Sequence, residues 1–482
     1  MAQIRKNWLK FLSPQEIDNI HEASLRVLTE LGVRIEDREL KDKLQDCGCT
    51  LNGERVIFTA ELVDATLKKV PGEVIFGSRS GRQIHVKDGN VYTHTAGSIP
   101  GIYDLDSGRK RDATLADLRD LIRLMNTLEY LDMPGALVCP QDVFERMSEI
   151  RQFEMLLRYS HKTISGIGVS SPQQARYIVE LYRVFADAVQ DHDRHPLGNV
   201  GISPESPLYY PRHITDIMKT YISAGIPTVP LVAPIVGLTA PMTIAGGLTQ
   251  LNTSMLAFAV MAHLINPRTP IIYEARLIFA DMRTGRAATR VAETGLAGAC
   301  CVQLARRYGI PSDVYGLSSA ASAFDNQLGY EKAANGILPL LAGANIISGF
   351  GLLTSGLMSA HEQLLIDNEL FAMLHKAAQG VSVTTDRLAV DIIANVVNGE
   401  NFLEQDHTLT YLRKKEVFQP QLSFSGLWSE WEEQGKKDIR ARARDEVRRR
   451  MQSHEDLPLP AEVEREFSRI IAAAEADLLS VA

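Results

Sequence analysis

The chain has 482 residues, 45% of them hydrophobic and 23% charged, a globular composition that excludes a disordered chain or a fibre. Its 51 basic residues are outnumbered by 59 acidic ones, giving a net charge of −8, which does not favour a nucleic-acid binder with its basic surplus. The length allows about three ordinary domains, or one α/β barrel of about 250 residues with additions.

The opening MAQIRKNWLKFLSPQEID lacks an apolar core followed by a small-residue cleavage site, so a cytoplasmic protein is expected. Ser13-Pro14-Gln15-Glu16 supplies an N-cap, a proline at the first helical position and a glutamate at the third, the pattern of a capping box. Ile17, Ile20, Leu25 and Leu28 follow at mostly helical spacing. Two short β-rich runs, Glu73-Val-Ile-Phe-Gly77 and Gln83-Ile-His-Val-Lys87, end at Asp88-Gly89-Asn90. Residues 1–90 therefore read as a helical and small β flank.

From residue 91 short apolar or β-branched runs alternate with helical stretches. The expected strands are Val91–Gly97, Asp132–Val138, Thr163–Gly168, Leu197–Ile202, Thr228–Ala233, Pro270–Arg276, Asp313–Leu317 and Asn345–Gly349. Between them lie the expected helices Thr114–Thr127, Val143–Ser160, Pro172–Ala188, Arg212–Ala224, Pro241–Leu264, Arg290–Tyr308 and Asn326–Leu341. Few charges fall within the strand runs, as in strands buried on both faces. Eight such units predict an α/β fold, a (β/α)8 TIM-type barrel over 91–355 with an N-terminal α/β flank; a doubly wound sheet is the competitor. The longest stretch free of Lys, Arg, Asp and Glu, Thr220 to Pro267, is broken by Pro227, Pro230, Pro234 and Pro241, too often for a spanning helix of about 20 apolar residues.

After the last strand the pattern turns helical over 356–482, with His361–Ala377, Asp386–Asn398, the charged Lys436–Met451 and a last amphipathic helix after Leu457-Pro-Leu-Pro460. These make a C-terminal helical extension packing on the barrel. The arginine-rich face of Lys436–Met451 is interrupted by Asp445 and Glu446, as a solvated or interface helix would be. Cys47, Cys49, Cys139, Cys300 and Cys301 are odd in number and lack zinc-ligand spacing. Adjacent helical residues point about 100° apart, so buried thiols are expected and no metal.

No GxxxxGK[ST], GxSxG or HExxH motif occurs. In a barrel, sites form where strands end, which nominates Ser98, Ser203, Ser318, Gly349 and Gly351 at the rim. Glu274 and Arg276 stand two apart on one strand and face the same way. The pair could hold an ionic ligand or form a mutual salt bridge. Phe324, Phe350, Tyr103 and Tyr273 are the aromatic candidates for a pocket, with core packing as the alternative for each. His361-Glu362 opens a helix, as a site group or as an ordinary capping turn.

Several blocks carry a family likeness. Leu12-Ser-Pro-Gln-Glu-Ile-Asp-Asn-Ile-His21 with Val27-Leu-Thr-Glu-Leu-Gly-Val33 resembles the opening of the trimethylamine methyltransferase family. So do Asp104-Leu-Asp-Ser-Gly-Arg-Lys-Arg-Asp-Ala-Thr114, Asp325-Asn-Gln-Leu-Gly-Tyr-Glu-Lys332, Leu341-Ala-Gly-Ala-Asn345, His361-Glu-Gln-Leu-Leu-Ile-Asp-Asn368 and Trp431–Arg442. The resemblance implies a corrinoid-dependent methyltransferase on a (β/α)8 barrel, passing a methyl group from an amine to Co(I) of a separate corrinoid-binding protein. The founding members carry pyrrolysine in the barrel. This chain has none, and Ser318–Phe324 near that region holds ordinary side chains.

The chain thus resembles the non-pyrrolysine branch, whose best-known activity is on glycine betaine. A quaternary nitrogen leaves as a neutral amine and requires no general acid, metal or covalent adduct, so no catalytic side chain is nominated. What remains is to bind the cation, align one methyl group and exclude water. Aromatic faces, at about 0.5–2 kcal/mol each, and a carboxylate such as Glu274 suit a quaternary ammonium. Arg276 or His361 suits a betaine carboxylate, and Ser98, Ser203, Ser318, Gly349 and Gly351 would face the corrinoid. Proline betaine, carnitine and butyrobetaine remain open as substrates, as do a non-catalytic ligand-binding barrel and an aldolase-like enzyme, for which Lys162 lies before its strand. Homo-oligomerisation is left open; no membrane or nucleic-acid partner is expected.

Overall fold

The computed structural model describes residues 9–189, 195–288 and 291–480. The expected starts at residues 1–8 and at Arg290 lie outside them. The capping box forms as read: Glu16 N donates to Ser13 Oγ (3.3 Å) and Ser13 N to Glu16 Oε2 (2.7 Å), starting the helix Pro14–Arg26. A wider turn, Val27–Leu31, carries it to Gly32 at φ 70°. A Cβ on Gly32 would lie 2.3 Å from Val56 O, so this position needs glycine on both counts. The small sheet that follows is tied to the body by parallel pairing of Val33–Ile35 with Tyr209–Tyr210.

The β-rich runs of the flank form an antiparallel hairpin, Val74–Phe76 with Ile84–Val86. Its apolar side chains pack against Met133, Val229, Ile272 and Ile346, which lie at or near the amino ends of the long parallel runs. The hairpin therefore covers that end of the strand set. Each fully buried side chain in such a cluster contributes roughly 1.5–3 kcal/mol.

Seven of the eight expected strands form, with bounds trimmed or shifted by one to several residues: Tyr92–Thr95, Ile164–Gly168, Gly198–Ile202, Thr228–Pro230, Tyr273–Ala275, Ser312–Tyr315 and Ile346–Phe350. All their mutual ladders are parallel. Ser312–Tyr315 pairs with Tyr273–Ala275 and Ile346–Phe350, which in turn pairs with Tyr92–Thr95. Gly198–Ile202 pairs with Ile164–Gly168 and Thr228–Pro230. A single bridge, Val232 with Ala275, joins the two groups on one side.

The expected strand Asp132–Val138 is not regular. Pro134 has no N–H to give a ladder, and the run keeps only bridges of His94 with Met133 and Ile99 with Val138. It is nonetheless bonded on both sides, Met133 N to Thr93 O (3.0 Å) and Ser165 N to Pro134 O (3.0 Å). Helices separate all the runs, from Leu115–Asn126 to Asn326–Ala342, and His361–Ala378 follows the last. The architecture is mixed α/β with many helices.

The charge-free stretch holds one helix, Ile244–Ile265, which starts beyond Pro241 and is long and apolar enough to cross a membrane by composition. Most of its side chains are buried within the fold, packed between the N-terminal helices and its neighbours. Two elements depart from the sequence reading. The expected helix Asp386–Asn398 is split at Ala389, φ 52°, into Thr385–Leu388 and Val390–Val397. Lys436–Met451 starts late, at Ile439, because Asp438 caps it by accepting from Ala441 N (2.7 Å). The mouth carries extra hairpins absent from that reading, among them Gly101–Tyr103 with Lys110–Asp112, whose turn closes when Asp104 accepts from Ser107 N (2.9 Å).

Candidate active site

A cavity of about 310 Å³ opens at the carboxyl ends of the parallel strands. Thr95 to Ser98, Gly135, Gly168 and Ser203 contribute to its wall, and His94, Glu274, Arg276 and Asp313 meet inside it. These four come from two neighbouring strands, Tyr273–Ala275 with Arg276 just after it and Ser312–Tyr315, and from the first, Tyr92–Thr95, which pairs across Ile346–Phe350, so the parallel register brings them together.

Arg276 organises the group. Its Nη2 lies 2.7 Å from Glu274 Oε1, 3.0 Å from Asp313 Oδ1 and 3.4 Å from His94 Nε2. Nη1 donates to the Asp313 carbonyl (3.1 Å), and the guanidinium stands 4.7 Å over the Tyr315 ring. His94 Nε2 is 3.0 Å from Asp313 Oδ2, and its Nδ1 is 3.3 Å from Ser165 Oγ. A proton on Nε2 serves Asp313 and leaves Nδ1 to accept from the Ser165 hydroxyl.

All four side chains are buried. Glu274 is pushed up to about 7 by desolvation, which Arg276 offsets only in part. Asp313 feels the same burial, but Arg276 and His94 outweigh it and hold its carboxyl below the usual range. Two carboxylates facing one arginine leave a net negative charge when Glu274 is ionised. Among the described residues Glu274 Oε2 is buried without a hydrogen-bond partner.

One imidazole and two carboxylates, with ligand-type atoms within 4.8 Å of one another, form a donor set that suits a divalent metal. Arg276 Nη2 already sits in reach of all three. The guanidinium supplies the positive charge there, and a metal would have to displace it.

The predicted residues are distributed unevenly. Glu274 and Arg276 lie in the cavity, and their mutual salt bridge forms. Ser98 and Ser203 line its wall. Ser318 lines a smaller space of about 70 Å³ that shares Tyr315. Gly349, at φ 116°, is turned so that its carbonyl accepts from Lys332 Nζ (3.3 Å), and a Cβ there would lie 2.9 Å from Leu317 O. Gly351 N donates to Asp367 Oδ2 (2.8 Å). Lys332 and Asp367 pair at 2.9 Å in full burial and so pin the end of the last strand.

The expected aromatic faces lie elsewhere, for reasons of strand alternation and capping. Tyr273 precedes Glu274 and so points to the other side of the strand, where its hydroxyl donates to Asn252 Oδ1 (2.9 Å). Phe350 packs on Phe371 at 6.0 Å. Tyr103 and Phe324 form an edge-to-face pair at 6.1 Å beneath Arg440. His361 is buried at the start of its helix, outside the cavity lining, and desolvation lowers its pKa. Lys162, pushed down to about 8 by burial, donates to the carbonyls of Met125 (3.0 Å) and Leu131 (2.6 Å) at the amino end of its strand, remote from the cavity.

His94, Asp313 and Tyr315 were not singled out by sequence. Their signal was present: a histidine in Thr93-His94-Thr95 and an aspartate in Ser312-Asp313-Val314, polar groups inside runs that otherwise read as buried strand.

Alternating helices and parallel strands with an ionised cavity at the strand ends define an α/β enzyme. The sequence model of the trimethylamine methyltransferase (MTTB) family matches residues 2–478, and the chain belongs to that family. Trimethylamine methyltransferase MttB of Desulfitobacterium hafniense (strain DSM 10664 / DCB-2) is 27% identical over 478 residues, spanning 98% of this chain and 96% of that protein. Glycine betaine methyltransferase of Desulfitobacterium hafniense (strain Y51) is 27% identical over 464 residues, spanning 96% of each. Among solved structures, the hydroxylamine complex of MtmB matches with a TM-score of 0.54 at 12% identity, over 98% of this chain and 88% of that one, a likeness of fold.

Proposed function

We propose that this enzyme moves a methyl group from a quaternary amine, glycine betaine first among them, to Co(I) of a separate corrinoid protein. The scaffold of this reading is a (β/α)8 barrel over 91–355, flanked by 1–90 and covered by the helices of 356–482. Its support is the sequence of ladders and bridges around the strand set, in which Tyr92–Thr95 bonds both to Ile346–Phe350 and to the 132–138 run.

The single observation that carries the proposal is the unpartnered, buried Glu274 Oε2 in a net negative cavity. A trimethylammonium group has no N–H, so it offers charge without a hydrogen bond, and an ionised carboxylate oxygen left unbonded is its complement. The cobalt of the partner supplies the nucleophile. The C–N bond then breaks with its electron pair on nitrogen, and a neutral tertiary amine leaves. This chain binds the cation, turns one methyl group to the mouth and keeps water out. Gly97, Ser98, Gly168 and Ser203 keep the wall free of bulky side chains, which suits the approach of a flat macrocycle.

One observation favours a second reading of the substrate. Arg276 donates to Glu274 and Asp313, so a betaine carboxylate would compete with both or rely on Ser98, Asn199 and Ser203. A quaternary amine without a carboxylate needs no such exchange. Incubation with a reduced corrinoid protein separates the cases by the absorbance change of cobalt methylation. Glycine betaine should methylate it, and trimethylamine and dimethylglycine should not. Turnover of choline in preference to glycine betaine supports the second reading, turnover of trimethylamine overturns the quaternary assignment, and no methylation with any amine leaves a binding protein.

A further inference from the structure

Across the His94 ring from Asp313, two strands bring neutral polar side chains to the cavity. Ser165 and Asn199 are direct partners in the parallel ladder of Ile164–Gly168 with Gly198–Ile202, and both are buried in the cavity wall. The register slips just past them, between Asn199 and Gly201, the kind of irregularity that re-aims a side chain beside a site. Mouthward of the pair Gly201 stands against Gly168, which leaves room above it.

The polarity of each group is fixed by what lies behind it. Asn199 Oδ1 accepts from Gly166 N (3.2 Å). A backbone N–H can only donate, so the amide nitrogen is the half left to the cavity. Among the described residues Asn199 Nδ2 has no hydrogen-bond partner. Ser165 is set from the other side. Asp313 holds the His94 proton on Nε2 (3.0 Å), so Nδ1 accepts and the Ser165 hydroxyl donates to it (3.3 Å). The serine oxygen then offers its lone pairs to the cavity. Side by side on strands about 4.8 Å apart, the two residues present one donor and one acceptor.

We infer that Asn199 and Ser165 form a hydroxyl subsite, and that the preferred substrate is a quaternary amine that carries a hydroxyl group. The inference rests on the quaternary-amine reading above and ranks the amines within it. A hydroxyl accepts from Asn199 Nδ2 and donates to Ser165 Oγ through one oxygen atom. A carboxylate has no proton for Ser165, and to bind both residues it must turn the serine proton away from His94 Nδ1. A bare alkyl chain leaves both groups unpaired in a desolvated wall, which is how such a site rejects an analogue lacking the hydroxyl. The cation has its place within reach. The His94 ring bridges from Ser165 to Asp313 and to Arg276 (3.4 Å), which in turn holds Glu274. Ammonium and hydroxyl then stand a few bonds apart in one molecule, as in choline or carnitine.

The test is calorimetric titration of the full chain, without corrinoid protein, using ligand pairs that differ by one hydroxyl: choline against ethyltrimethylammonium, and carnitine against butyrobetaine. The hydroxylated member of at least one pair should bind about tenfold to a hundredfold more tightly. Asn199→Asp keeps the acceptor for Gly166 N and removes the donor, while its charge acts on both members of a pair alike. Ser165→Ala removes the acceptor. Each should collapse the ratio toward one. The ratio for the native chain needs no variant, so a variant that fails to fold leaves the test intact. Equal binding within both pairs, or a preference that either folded variant leaves unchanged, overturns the inference and leaves the cation site standing. If none of these ligands binds, the quaternary-amine reading falls and the subsite with it.

Discussion

Glu274 presents one carboxylate oxygen to Arg276 at 2.7 Å while its other oxygen is buried without a hydrogen-bond partner. An arginine that satisfied both oxygens would leave nothing to attract a cation; half-satisfied, the carboxylate keeps a directed negative charge in a desolvated space. On the proposed function, its protonation near pH 7 would govern affinity for a cationic substrate.

With the Glu274 carboxyl pushed up to about 7, the ionised fraction at pH 6 is about a tenth. KM for a quaternary amine should therefore be roughly tenfold higher at pH 6 than at pH 8, with kcat changing less because the bound cation favours ionisation. Glu274→Gln should raise KM at pH 8 by about tenfold to a hundredfold and flatten the profile. A native profile without an inflection between pH 6 and 8 would remove Glu274 from cation binding.

The same shift makes a stability prediction of opposite sign. A carboxyl with a folded pKa near 7 and an unfolded one near 4.3 keeps its proton in the folded state while the unfolded chain ionises. Stability is lost as pH rises through that window and is fully lost above it. At pH 8 Glu274→Gln should be more stable than the native protein by about 1–3 kcal/mol, and the gain should shrink at pH 5. Asp313, held low, acts the other way, contributing stability above pH ~3.9 that disappears as pH falls through its folded pKa. Denaturant midpoints at the two pH values check both signs.

Burial pushes the Lys332 ammonium down and the Asp367 carboxyl up, each opposed by the other. Lys332→Met leaves a buried unpaired carboxyl and should destabilise by about 3–5 kcal/mol. Adding Asp367→Leu should recover about 1–3 kcal/mol, although Gly351 N loses its acceptor. Strict additivity in the double-mutant cycle would contradict the pairing.

Phe76 is fully buried in the hairpin cluster. Phe76→Ala should lower stability by about 3–5 kcal/mol while KM stays within twofold, since the side chain lies at the end remote from the cavity. A large KM change without destabilisation would contradict the assignment of the hairpin to that end.

Strand and helix order were legible from apolar runs and punctuation, because strands buried on both faces repel charge from their sequence. The Asp132–Val138 run shows the limit: its composition reads as strand, and only the proline within it announces a broken ladder. Glu274 and Arg276 were found through period-two geometry. Tyr273 and Phe350 were misjudged as pocket candidates because aromatic type says nothing about which side of a strand faces the lumen. His94 and Asp313 were overlooked because their meaning depends on Arg276, far away in sequence, arriving between them. Within residues 379–421 only the helix Asp386–Asn398 was read, since periodicity does not show that Ala389 turns to φ 52° and splits it.

The hairpin seated under the strand set has a kinetic consequence. A vessel stoppered at its base has one doorway, and methyl donor and methyl acceptor would have to share it. On the proposed function the small amine would enter first, the bulky corrinoid protein would then close the opening above it, and the demethylated amine would stay trapped until that protein left. On that function, compulsory order, with the corrinoid protein as dead-end blocker when it arrives early, would follow from a pair of short strands remote from the cavity.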